Sequence, residues 1–105
     1  MRKIAALSVT ISGCILLVLG GCSRNSDYIP REGATGEKIF KEACVQCHTP
    51  VASKVMLLRA DMANPEAIAD RVKNGKGLKM PAFPNLTGDS VQSLADYILA
   101  NSGSR

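Results

Sequence analysis

Apolar residues fall into four groups along the chain. The first, Ile4 to Leu19, is almost unbroken, interrupted only by Ser8, Thr10, Ser12 and Gly13. The other three follow Thr35 and recur at helical spacing. In the earliest of them Gly36, Ile39, Phe40, Ala43, Cys44 and Cys47 share one side, with Thr35 placed to cap the helix and Glu37 suited to its positive end. In the next, Asn64 is a cap, Pro65 suits the first helical position, Ile68 and Val72 share a face, and Gly75 is a stop. The last starts near Thr87 and Asp89, turns Val91, Leu94, Ala95 and Ile98 inward, and ends between Asn101 and Gly103. No run shows the strict alternation of a strand, so the pattern predicts an all-α domain of three main helices. Lys76 to Pro84, between the second and third helices, is predicted as a loop held extended by Pro81 and Pro84.

The leading apolar run has a different meaning. It follows the basic start Met1-Arg2-Lys3, and its roughly 16 residues fall short of the roughly 20 that span a bilayer. That layout is an export signal, and it ends in Leu19-Gly20-Gly21-Cys22, which resembles the lipobox of bacterial lipoproteins. The resemblance implies a signal peptide over residues 1–21, with Cys22 becoming an acylated N-terminus. The expected location is therefore outside the cytoplasm, anchored by lipid to a membrane and facing the periplasm or the cell exterior. A permanent transmembrane anchor, or an ordinary secretory signal with Cys22 left as a thiol, are the alternatives. Residues 22–33 carry no apolar period and several breakers, and are predicted as the lipidated Cys and a flexible tether, with the folded domain at 34–105.

Removing residues 1–21 changes the accounts of charge and cysteine. The full chain of 105 residues carries a formal charge of +4; without Arg2 and Lys3 it falls to +2, eleven basic residues against nine acidic. That balance does not suggest nucleic-acid binding. Cys14 leaves with the signal and Cys22 is spent on lipid, so Cys44 and Cys47 alone remain as thiols in the domain. Such a domain, with two Phe, two Tyr and no Trp, has a thin core for its size. One disulfide between cysteines three apart would constrain little, whereas a large apolar cofactor would supply the missing core.

Cys44-Val45-Gln46-Cys47-His48 is where such a cofactor would attach. Positions three apart lie on adjoining parts of one helical face, so both thiols can add to the two vinyl groups of one haem. His48 then offers the iron an imidazole nitrogen, and the pentapeptide is the signature of c-type haem attachment. A thioredoxin-like pair would need a strand-helix-strand setting that the pattern lacks. A zinc site would need carboxylates to complete it, since His48 is the only His and no other Cys pair exists.

On these residues, 34–103 resemble a small class I cytochrome c with one haem. The resemblance implies the cytochrome c fold, with the N- and C-terminal helices crossing; Gly36 and Phe40 match its helix-contact pattern, opposite Leu94 and Tyr97. It also implies that a later Met gives the second axial ligand. Met56, Met62 and Met80 are the methionines beyond the signal, and Met80 is expected, because Met80-Pro81 matches the family's ligand loop and lies 32 residues after His48. The expected cofactor is thus one haem c, covalent through Cys44 and Cys47, with His48 and Met80 on the iron. Many relatives have a Gly-Pro pair about a dozen residues after the motif, whose carbonyl orients the His; here that stretch is Val51 to Arg59, with no Pro, and Pro50 or a nearby carbonyl is the expected substitute.

An iron filled on both sides has no place for substrate, so the expected function is single-electron transfer between redox proteins of a respiratory chain, and not catalysis. A gas-binding or sensing module with a displaceable Met80 is the alternative; a peroxidase is disfavoured by the lack of a second His, a Trp or a distal acid cluster. Lys73, Lys76 and Lys79 gather near the expected Met loop. They are read as steering an acidic redox partner, or else as a solvated helix end.

Overall fold

The computed structural model describes residues 24–105; the expected signal peptide and Cys22 lie outside the described residues. Three helices form where the spacing predicts them: α1 (Gly36–Ala43), α2 (Pro65–Asn74) and α3 (Gly88–Asn101). Their ends follow from local chemistry. Thr35 Oγ1 accepts the Lys38 N–H at 3.2 Å, and Asn64 Oδ1 accepts the Ala67 N–H at 2.8 Å, each satisfying a donor the helix cannot. Ser90 Oγ accepts the Thr87 N–H at 3.1 Å at the start of α3. Gly75 ends α2 at φ 69°, a conformation glycine adopts without steric cost.

The helices bury the faces assigned to them. Ile39 and Phe40 of α1, Ile68 and Val72 of α2, and Val91, Leu94, Ala95 and Ile98 of α3 form one cluster with Val55, Leu58, Phe83 and Leu86. α3 packs against both α1 and α2. At the α1–α3 crossing, a Cβ on Gly36 would lie 2.7 Å from the Tyr97 Cβ and closer still to the Ser93 carbonyl oxygen, so only a glycine lets the two backbones approach. Phe40 and Tyr97 pack beside it in a tilted pair, ring centroids 5.8 Å apart. This is the all-α cytochrome c fold, its first and last helices crossing.

The structure adds two features to the helical pattern. β1 (Leu57–Leu58) and β2 (Gly103–Ser104) pair in parallel, and the ladder extends outward through Val55 N–H to the Asn101 carbonyl at 3.0 Å and Arg105 N–H to the Leu58 carbonyl at 2.9 Å. Two-residue strands are too short to show a period. The second is a correction: the start of the expected tether is not free. The Ala82 N–H donates to the Arg24 carbonyl at 2.8 Å and the Ser26 N–H to the Ala82 carbonyl at 2.7 Å, while the Tyr28 hydroxyl donates to Glu42 on α1 at 3.0 Å. Polar residues that carry no apolar period still bring backbone donors and acceptors, and here those find partners on the domain. Lys76–Met80 likewise is not extended; it closes on itself, Lys76 N–H to the Met80 carbonyl at 2.8 Å, and the chain straightens only at Pro81.

Two outcomes follow. Gly36→Ala forces α1 away from α3 and is expected to cost at least about 2 kcal/mol in urea unfolding; an unchanged midpoint would show that the helices do not touch there. Burial, reinforced by the hydrogen bond to Glu42, pushes the Tyr28 phenol up from 10.0 to about 12. Because the folded chain keeps this proton longer than the unfolded one, the stabilisation from Tyr28 is whole below pH 10 and fades as pH rises towards 12. Tyrosinate absorbance should therefore show a step near 12 that Tyr28→Phe abolishes; wild-type protein without that step contradicts the contact.

Candidate functional site

α1 stops at Ala43, and the next turn carries the attachment motif. The Cys44 carbonyl accepts two donors, Cys47 N–H at 3.2 Å and His48 N–H at 2.9 Å, so the turn winds on just far enough to bring the His under the end of the helix. Cys44 is buried and Cys47 exposed. Burial among apolar groups, with Cys47 adding to it, pushes the Cys44 thiol up to about 11, so it faces the interior as a neutral group.

Two adjoining cavities open there, of about 240 and 400 Å³. Cys44, His48, Arg71, Lys76 and Met80 line both. The smaller is walled by Met56, Leu58 and Met62 from the α1–α2 connection, by Ile68 and Val72 of α2 and by Ile98 of α3. The larger takes in Cys47, Lys79, Pro81 and Phe83. Together they reach the size of a cofactor site.

Met80 arrives by way of Gly75. A Cβ on Gly75 would lie 2.6 Å from the Met80 carbonyl oxygen and 2.6 Å from the Ala82 nitrogen, so the loop can fold back against the end of α2 only over a bare backbone. Phe83 N–H then donates to the Val72 carbonyl at 2.9 Å and fixes the far end of the loop.

Other predicted residues are distributed unevenly. Met56 and Met62 line the smaller cavity alone. Of the three lysines, Lys76 and Lys79 reach the cavities and Lys73, though exposed, lines neither. At the start of the Val51 to Arg59 stretch that lacks the Gly-Pro pair, Val51 and Lys54 close a tight turn on each other at 2.9 and 3.0 Å, with Ala52 at φ 55°. Sequence reasoning passed over Arg71 and Arg105 and set Arg59 apart from the lysine cluster, yet all three bring positive charge to the smaller cavity; Arg59 is paired with Asp61 at 3.1 Å. Arg71 had a signal, standing three residues after Ile68 on the inward side of α2. The other two come from the 3₁₀ turn region and from the chain end beyond β2, which no periodicity marks.

These residues fit a haem. The walls are apolar, as a porphyrin ring requires, the cations suit two propionates, and the thiol, imidazole and thioether groups are of the types that hold haem c. Among the described residues no group of three His, Cys, Asp or Glu is placed to hold a metal by itself.

Comparison with known proteins agrees. Residues 31–98 match the family described as cytochrome C oxidase, cbb3-type, subunit III. The chain is 35% identical over 100 residues to a cytochrome c6 of Gloeothece citriformis, covering 85% of this chain and 90% of that one. It is 37% identical over 76 residues to a cytochrome c6 of Cyanidioschyzon merolae, 64% of this chain and 72% of that one, and 38% identical over 78 residues to one of Leptolyngbya boryana, 65% and 91%. No solved structure matches. The chain belongs to the class I c-type cytochromes. It carries one covalently bound haem c, and its function is that of a single-electron carrier.

Proposed function

We propose that this chain is a membrane-tethered electron carrier of a respiratory chain. Haem c is joined to Cys44 and Cys47, His48 and Met80 are the axial ligands, and lipid on Cys22 is the anchor. The observation that carries the ligand set is the shared lining: His48 and Met80 both face both cavities, whereas Met56 and Met62 face one. When bound, the haem supplies an iron that changes by one electron at a time. The protein commits an imidazole and a thioether to it, leaving no position for a substrate, and the Met80 sulfur favours the reduced state relative to a second His.

The first residues of the described chain bear on the anchoring. Arg24 is bonded to the domain and stands two residues after Cys22, about 7 Å of extended chain. Lipid there would hold the Met80 loop near the membrane surface, where a long flexible tether would not. Among the described residues no helix is long and apolar enough to cross a membrane; in this reading the acyl chains provide the attachment. Lys76 and Lys79 at the cavity mouth, with Lys73 one turn earlier on α2, attract an acidic redox partner, an attraction that salt weakens.

Spectroscopy tests the reading. The oxidised protein should show a near-infrared Met-to-iron band and the reduced protein should not bind carbon monoxide. Met80→Ala should lose the band, gain carbon monoxide binding and lower the reduction potential, while Met56→Leu and Met62→Leu keep wild-type behaviour. A wild-type protein that lacks the band and binds carbon monoxide is instead a gas-binding module.

A further inference from the structure

We infer that Arg24–Ser26 form a strap that positions the Met80 loop, with Arg24 as its positioning residue; this rests on the reading of Met80 as the iron ligand. Three hydrogen bonds make the strap. The Ala82 N–H donates to the Arg24 carbonyl at 2.8 Å, the Ser26 N–H donates to the Ala82 carbonyl at 2.7 Å, and the Arg24 guanidinium donates to the Leu78 carbonyl at 3.1 Å. Met80 lies between the two residues so held.

The inner side of the loop has its own bonds, to Lys76 and to Val72, and these shape the turn. The outer side has the strap. Leu78 at the tip is 67% exposed, so without Arg24 its carbonyl faces water and the tip is free to swing. The strap is itself fastened: Ser26 Oγ accepts the Tyr28 N–H at 3.2 Å, and the Tyr28 hydroxyl donates to Glu42, two residues before Cys44. A continuous path of hydrogen bonds and short chain therefore joins the turn that bears His48 to the loop that bears Met80, without passing through α2. The spacing between the two proposed ligands is set from both directions, through the core by Gly75 and around the outside by Arg24.

Loss of a hydrogen bond from a charged donor is expected to raise the loop-opening equilibrium roughly tenfold. The test uses the full-length haem-loaded protein and its Arg24→Ala, Arg24→Lys and Ser26→Pro variants, with amide exchange and carbon monoxide association by the reduced protein as readouts. Arg24→Ala and Ser26→Pro should speed amide exchange at residues 78–80 and 82 by about tenfold and let the reduced protein take up carbon monoxide slowly where wild type takes up none, with haem content and exchange in α1 and α3 unchanged, and Arg24→Lys should recover most of the loss. Unchanged exchange at 78–82 in both variants, or an equal rise across all the helices, overturns the strap. If wild-type protein shows no Met-to-iron band, the ligand reading fails, and exchange at 78–82 alone then decides whether the strap holds the loop.

Discussion

The close approach of α1 to α3 at Gly36 sets the position of everything that faces the cavity. Because no side chain separates the helices there, the Phe40 ring can pack at a tilt against Tyr97, and the last turn of α1 is held at a fixed height over α3. Cys44 then falls inside the domain and Cys47 at its edge, and the double acceptance by the Cys44 carbonyl turns His48 into the space between the helices. A bulkier contact at residue 36 would move the attachment turn as a unit. The chemistry of the site thus depends on a residue that takes no part in it.

Opposite demands meet at Met80. If Met80 is the iron ligand, as proposed, the loop must leave α2 and still return the same sulfur to the same place. Gly75 permits the return, the Lys76–Met80 turn shapes it, and the Arg24–Ser26 segment closes it from outside. Such over-determination suits an electron carrier, where ligands that stay in place keep structural rearrangement small. Arg59, Arg71 and Arg105 on the smaller cavity complete the balance, offering the carboxylates of a haem a charged neighbourhood beside a wall that is otherwise largely apolar.

Much of this was legible in the residues. The caps at Thr35 and Asn64, the stop at Gly75, and the inward faces of all three helices followed from spacing alone, because each rests on interactions within a few residues. The attachment turn was legible because its chemistry demands a fixed local order. Most of what escaped has a partner distant in sequence; the Lys76–Met80 turn, closed over four residues, is the exception. Gly103 pairs with Leu57, Arg24 and Ser26 with Ala82, and Arg105 reaches the cavity from the chain end. Residues 24–28 read as tether because polarity was taken for mobility, although their backbone groups needed partners as much as any others. Gly75 was read as a helix stop, and its second role, clearing the way for the Met80 loop, could not be seen without the fold.

The account as a whole depends on a haem filling the core that the helices leave open. Mass spectrometry of the purified protein, intact and after digestion, tests this most directly. The account predicts one haem per chain, carried on the peptide that contains Cys44, Cys47 and His48. A folded protein in which both cysteines are recovered unmodified would contradict it.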